Sequence, residues 1–147
     1  MVRVPPLLLL LLFAGLIALL ARFAPLGTFL AQPALAIGLA AVGAAIALGA
    51  VREFARARTT VDPLHPENAS ALVTGGPFAF SRNPMYLGFL LILVAEAAWL
   101  GSVSGLIPVP LFALWVTRLQ ILPEEAALRE KFGDAFTRYA HRTRRWI

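Results

Sequence analysis

The chain has 147 residues, of which 59% are hydrophobic and 14% charged, against roughly 45–50% apolar content in soluble domains. A soluble protein of this size cannot bury that much apolar surface, so the composition points to one integral membrane domain. Absence of cysteine excludes disulfides, thiolate catalysis and thiolate-held metal, and the two histidines, His65 and His141, supply no histidine-rich metal centre.

Four apolar segments are expected to cross the bilayer as helices, at about 4–21, 29–51, 84–100 and 106–122. The first begins "VPPLLLLLLFAG". Arg3 and this leucine run also suit a secretory signal. The run is long, however, and no small-x-small cleavage site follows promptly, so it reads as a retained span. The second is rich in alanine and glycine, with Ala34/Gly38 and Ala45/Gly49 at small-xxx-small spacing for close helix approach. The third and fourth, joined by the uncharged "GSVSG", form a hairpin.

Charge sets the expected orientation. Arg52, Arg56, Arg58 and Arg82 fall in the central loop, 52–83. Arg129, Lys131, Arg138, Arg142, Arg144 and Arg145 fall in the tail, 123–147. The opposite loops carry only Arg22, so both termini are expected in the cytoplasm of a prokaryotic inner membrane. The net charge of +5 thus serves topology rather than nucleic-acid binding. The tail begins "PEEAALREKFGDAFTRY". Pro123 suits a first helical turn, Glu124 and Glu125 suit its dipole, and Leu128, Phe132, Phe136 and Tyr139 share one side. Gly133 is expected to bend it. The fold expected is therefore all-α integral membrane, one domain over 1–147, with four transmembrane helices and a cytoplasmic amphipathic helical segment.

The hairpin brings Arg82, Asn83 and Tyr86 to the depth of Arg118, Gln120, Glu124 and Glu125. Asn83 is a candidate N-cap and Pro84 a first-turn residue, leaving free amides that attract anions. Arg82 offers a fork for a carboxylate, the glutamates attract a cation, and Tyr86 and Phe80 offer flat faces. Gly88 permits close approach of a ligand or a helix. An amphoteric, part-aromatic small molecule suits this set, S-adenosylmethionine among others.

Taken together, "LVTGGPFAFSRNPMYLG", "PEEAALREKFGDAFTRY" and "RRWI" resemble the isoprenylcysteine carboxyl methyltransferase and phospholipid methyltransferase superfamily. The resemblance covers Leu72 to Ile147. It implies an S-adenosylmethionine-dependent membrane methyltransferase, with a lipid or lipophilic acceptor arriving from the bilayer and no metal. It also implies cofactor contacts from Gly76, Arg82, Asn83, Tyr86, Leu87, Gly88, Glu124 and Glu125, and substrate contacts from Arg118, Tyr139 and Arg145. Glu125 and Arg145 are the candidate catalytic residues. Many members carry histidine where this chain has Asn83, and asparagine cannot titrate near neutral pH. The acceptor atom, O, N or S, stays open.

Blander roles are expected elsewhere. Arg52, Arg56 and Arg58 read as topology determinants, and Trp99 as an interfacial aromatic. Leu128, Phe132 and Phe136 read as packing. Glu96 lies about 18 Å along the third span from Pro84, near enough to the far interface to reach headgroups there. A nicotinamide-dependent lipid reductase of similar fold, or a non-enzymatic scaffold, are the other readings.

Overall fold

The computed structural model describes residues 4–59 and 69–147; Arg3 and His65 lie outside the described residues. These are helical, with no strand among them beyond one isolated antiparallel bridge between Thr28 and Ser102. Helix α1 spans Pro6–Phe23, α2 Pro33–Arg56, α3 Pro84–Leu100, α4 Pro108–Val116 and α5 Leu122–Arg142. Four of these five begin with proline at the first position, where its missing N–H costs nothing and its fixed φ suits the helix.

Helix α2 departs from its expected bounds at both ends. Pro33 starts it four residues late, because a residue before proline is driven to extended backbone. The segment ahead of it pairs with the α3–α4 turn instead: Phe29 N–H donates to Gly101 O at 2.9 Å, and Gln32 N–H to Ala98 O at 3.2 Å. At its other end α2 carries Arg52 and Arg56, expected in the loop, and Arg56 pairs with Glu53 at 2.7 Å. Such an i,i+3 pair supports a last turn beyond the apolar stretch.

The fourth span and the tail are also not separate helices. A π turn, Thr117–Ile121, joins α4 directly to α5. Pro123 has no N–H to donate and its ring would strike the carbonyl four residues back, and a widened turn accommodates both. The apolar part of this rod ends near Leu122; the remaining length to Arg142 carries eight charged side chains and projects beyond it. Gly133, at φ 50 and ψ −122, kinks α5 as expected.

Helices α1 and α2 and the Ser104–Arg142 rod are long and apolar enough to cross a membrane; α3 is apolar but shorter, with 17 residues. One core joins α1, α3 and α4 through Leu9, Ile17, Phe89, Leu93, Phe112 and Val116. Side chains such as Leu7, Leu11, Leu35 and Leu48 stay exposed on the outer faces, where a bilayer would cover them.

The closest helix crossing is α2 on α3, and it is not where the sequence pattern placed it. Nothing comes within 4 Å of a Cβ added at Gly38. At Gly43 and Gly88 the two backbones meet. A Cβ at Gly88 would lie 2.4 Å from Gly43 O, and one at Gly43 would lie 2.6 Å from Gly88 O. Gly88 therefore admits the close approach of a helix, one of the two uses expected of it.

Candidate functional site

The end of the bundle that holds the start of α3 and all of α5 carries the polar cluster. Arg82 and Glu125 are its centre. Arg82 Nε and Nη2 both donate to Glu125 Oε1, at 3.2 and 2.9 Å. Arg145 grips the same carboxylate with two bonds, Nε to Oε1 at 3.0 Å and Nη2 to Oε2 at 2.8 Å. Burial alone pushes the Glu125 carboxyl up. The hydrogen bonds and charges of Arg145 and Arg82 outweigh it and hold the carboxyl below the ordinary carboxylate value. The Arg145 guanidinium is held above its ordinary value by the bond to Glu125, against the opposing effect of burial.

Arg82 does more than pair. Its Nη1 donates to Ala140 O at 3.0 Å and to Thr143 O at 2.6 Å. The last carbonyls of a helix lack partners within it and carry partial negative charge, so Arg82 caps α5 from another element. The chain that follows α5 is strapped to the same loop. Arg82 N–H donates to Arg144 O at 2.9 Å, and Asn83 Nδ2 to Arg145 O at 3.0 Å. Asn83 occupies the N-cap position of α3, but its side chain caps nothing there and holds the strap instead. Fully buried Ser81 accepts from Asn83 N–H at 3.1 Å and donates to Arg145 O at 3.4 Å. Trp146 then packs against the main core.

A second polar group lies beside this node. Tyr86 Oη lies within hydrogen-bond distance of two acceptors for its one proton, Glu124 Oε1 at 2.8 Å and Gln120 Oε1 at 2.6 Å. Gln120 Nε2 donates to Val4 O at 2.6 Å, which ties the start of α1 to the cluster.

A cavity of about 100 Å³ opens between these groups. Arg82, Asn83, Tyr86, Glu124, Glu125 and Tyr139 line its polar side; Phe54, Leu72, Phe78, Met85, Leu128 and Phe136 line the rest. It is smaller than the roughly 300 Å³ at which drug-sized sites begin. A nucleoside-sized ligand must therefore extend past its mouth or widen it. Arg82, which lines the cavity, is paired with Glu125.

The expected site residues thus divide. Arg82, Asn83, Tyr86, Glu124, Glu125 and Tyr139 converge on the cavity. Arg145 reaches it only through Glu125. Leu87 is buried without lining it, and Arg118 is exposed on the π turn. Gly76, at φ 55, packs on Glu53, whose Cγ would lie 2.9 Å from an added Cβ. Phe80 is exposed, and Phe78 supplies the aromatic face instead, edge-on to Phe54 at 5.1 Å. Tyr139 Oη donates to Phe78 O at 2.8 Å. Leu128 and Phe136, expected as packing, also form cavity wall. His141 is exposed, and no group of residues able to hold a metal occurs among the described residues.

Sequence reasoning missed Ser81, Phe78 and Thr143, and gave Gln120 no role. Only Ser81, two residues before a helix-starting Asn-Pro, carried a local signal, since serine there readily bonds a nearby backbone N–H.

Residues 31–135 match the phospholipid methyltransferase family. An uncharacterized protein of Haemophilus influenzae is 44% identical over 63 residues, which is 43% of this chain and 100% of that protein. No solved structure matches. The family match takes in α2, α3, α4 and the first half of α5, and with them most of the cavity wall; Tyr139 and Arg145 lie beyond it. An all-helical chain with spans of membrane-crossing length, matched over more than two thirds of its residues, belongs to the phospholipid methyltransferase family of membrane methyltransferases.

Proposed function

We propose that the protein transfers a methyl group from S-adenosylmethionine to a membrane-soluble small molecule or lipid at the cytoplasmic face. In this reading four helices span the membrane, both termini are cytoplasmic, and 1–147 is one domain. The observation that carries the site is the cavity in which Glu124 and Tyr86 stand at one edge of a wall of aromatic rings. A carboxylate and aromatic faces suit a ligand with a cationic sulfonium and ammonium and a flat base.

When bound, S-adenosylmethionine supplies a methyl group already activated by its sulfonium. What remains for the protein is to align acceptor, methyl and sulfur and to exclude water. Tyr86, Phe78, Phe136 and Tyr139 give the cavity its walls; the Arg82–Glu125–Arg145 node fixes α5 against α3. Glu125 has both oxygens engaged by guanidinium groups and is a poor base. For an amine acceptor, Glu124, which also lines the cavity and accepts from Tyr86, is the carboxylate proposed to take the proton. A carboxylate or thiolate acceptor needs none.

Isothermal titration of the detergent-purified protein with S-adenosylmethionine tests the site. Wild type should bind, and Tyr86→Phe and Glu124→Gln should each weaken binding. Equal affinity in all three would remove the site assignment. Methyl-labelled cofactor incubated with protein and native lipid extract should yield a labelled product, and none across lipids, quinones and prenyl thioethers would count against the activity.

A further inference from the structure

A second cavity lies against the first, which alone is too small for a nucleoside-sized ligand. It has about 320 Å³ and is lined by Thr74, Ala79, Tyr139, Arg142 and Thr143. Three stretches of chain pass from one lining to the other. Val73 lines the first and Thr74 the second, Phe78 lines the first and Ala79 the second, and α5 gives Tyr139 to both. Tyr139 is thus the shared wall. It is 4% exposed, and its Oη donates to Phe78 O at 2.8 Å, which fixes the ring there.

The two cavities differ in what they offer an anionic group. Arg82, the guanidinium in the first lining, is committed to Glu125 through Nε and Nη2 and to Ala140 O and Thr143 O through Nη1. A ligand carboxylate finds no uncommitted guanidinium there. No carboxylate lines the second cavity. Glu53, which packs on Gly76 close by, is outside that lining and pairs with Arg56 at 2.7 Å. The cation of the second cavity, Arg142, is exposed and, among the described residues, pairs with no acid. Thr74 adds a hydroxyl beside it.

We propose that a bound S-adenosylmethionine extends past Tyr139 into the second cavity, where Arg142 receives its carboxylate. The proposal rests on the reading of the first cavity as an S-adenosylmethionine site. It adds the direction in which the ligand leaves that cavity, and it makes Arg142 the residue that selects the amino-acid end. A guanidinium suits this role because its planar fork matches a carboxylate with two parallel hydrogen bonds, whereas a lysine offers a point charge.

The test is isothermal titration of detergent-purified protein at fixed ionic strength with two probes. One is S-adenosylmethionine; the other is its decarboxylated form, which keeps the adenosine, sulfonium and ammonium. Wild type should prefer S-adenosylmethionine by about fivefold, as expected for a charge-assisted contact at an exposed side chain. Arg142→Gln should abolish the preference by weakening S-adenosylmethionine alone, with the decarboxylated form within about twofold of wild type. Arg142→Lys, which keeps the charge, should lose less of the preference. Arg129→Gln and Arg138→Gln, exposed and outside the second lining, should leave it intact. Wild type binding both probes equally overturns the role of Arg142 and leaves the site reading standing. So does an Arg142→Gln variant that weakens both equally, or a preference lost in Arg129→Gln instead. Absence of S-adenosylmethionine binding by wild type overturns both.

Discussion

Glu125 and Arg145 meet through two parallel hydrogen bonds, 3.0 and 2.8 Å long, 20 residues apart in sequence. With Arg82 on the same carboxylate, this pairing joins the start of α3, the start of α5 and the residues after α5. Removing the carboxylate leaves two cations facing one another. Loss of one partner from a buried ion pair costs about 3–5 kcal/mol; Arg145 is 36% exposed at its side chain, which brings the expectation for Glu125→Gln to about 2–3 kcal/mol. Thermal unfolding in detergent should show a clear drop in Tm, and an unchanged Tm would contradict a structural node.

The same pairing sets a pH dependence. The Glu125 carboxyl is held below its ordinary value of 4.5 in the folded protein. Its stabilising contribution is therefore complete above that value. It is lost as pH falls below 4.5 toward the lowered value, where the unfolded chain binds the proton first. Tm measured against pH should fall more steeply in this range for wild type than for Glu125→Gln.

Glu124 and Glu125 should separate by assay. Glu124→Gln should lower S-adenosylmethionine affinity by about tenfold or more, as expected for a lost charge-assisted contact, with a smaller fall in Tm than Glu125→Gln. Glu125→Gln should lose Tm first. Identical behaviour of the two variants would contradict the division of roles drawn from Arg82 and Arg145.

The strap after α5 should be required. Deleting 143–147 removes the carbonyls of Thr143, Arg144 and Arg145 that receive hydrogen bonds from Arg82, Asn83 and Ser81, and removes Arg145 itself. The truncated chain should unfold at lower temperature and bind S-adenosylmethionine at least tenfold more weakly, since each buried donor left unpaired costs about 1–3 kcal/mol. Titration and thermal unfolding of the truncated protein in the same detergent check both.

The helix crossing gives a paired test. Gly88→Ala places a methyl group against Gly43 O, within 2.4 Å, and should destabilise by about 1–3 kcal/mol. Gly38→Ala meets nothing within 4 Å and should gain up to about 1 kcal/mol in a helix interior. Comparable Tm shifts in the two variants would contradict the Gly43–Gly88 crossing.

Much of this was legible in the chain. Apolar length located the helices, because backbone polar groups in lipid must be satisfied within the segment. "SRNPMYLG" and "PEEAALREKFGDAFTRY" marked the two elements that meet. Their convergence on Tyr86, Glu124 and Glu125 followed from the hairpin. Helix ends were less legible where proline acted: Pro33 delayed α2, and Pro123 widened a helix it was expected to begin.

By itself, then, the sequence determined the class, the family resemblance and the residues available at one end of the bundle, since composition and short-range spacing carry that information. Tertiary structure alone decided their partners. Arg82 clamps Glu125 and the end of α5, and Asn83, expected as a cap, ties down the strap. Gly43 rather than Gly38 took the crossing. The physical reason is common to all three: a buried donor or a missing Cβ is assigned by whichever long-range neighbour the packing brings within a few ångströms, and local sequence carries no record of that neighbour.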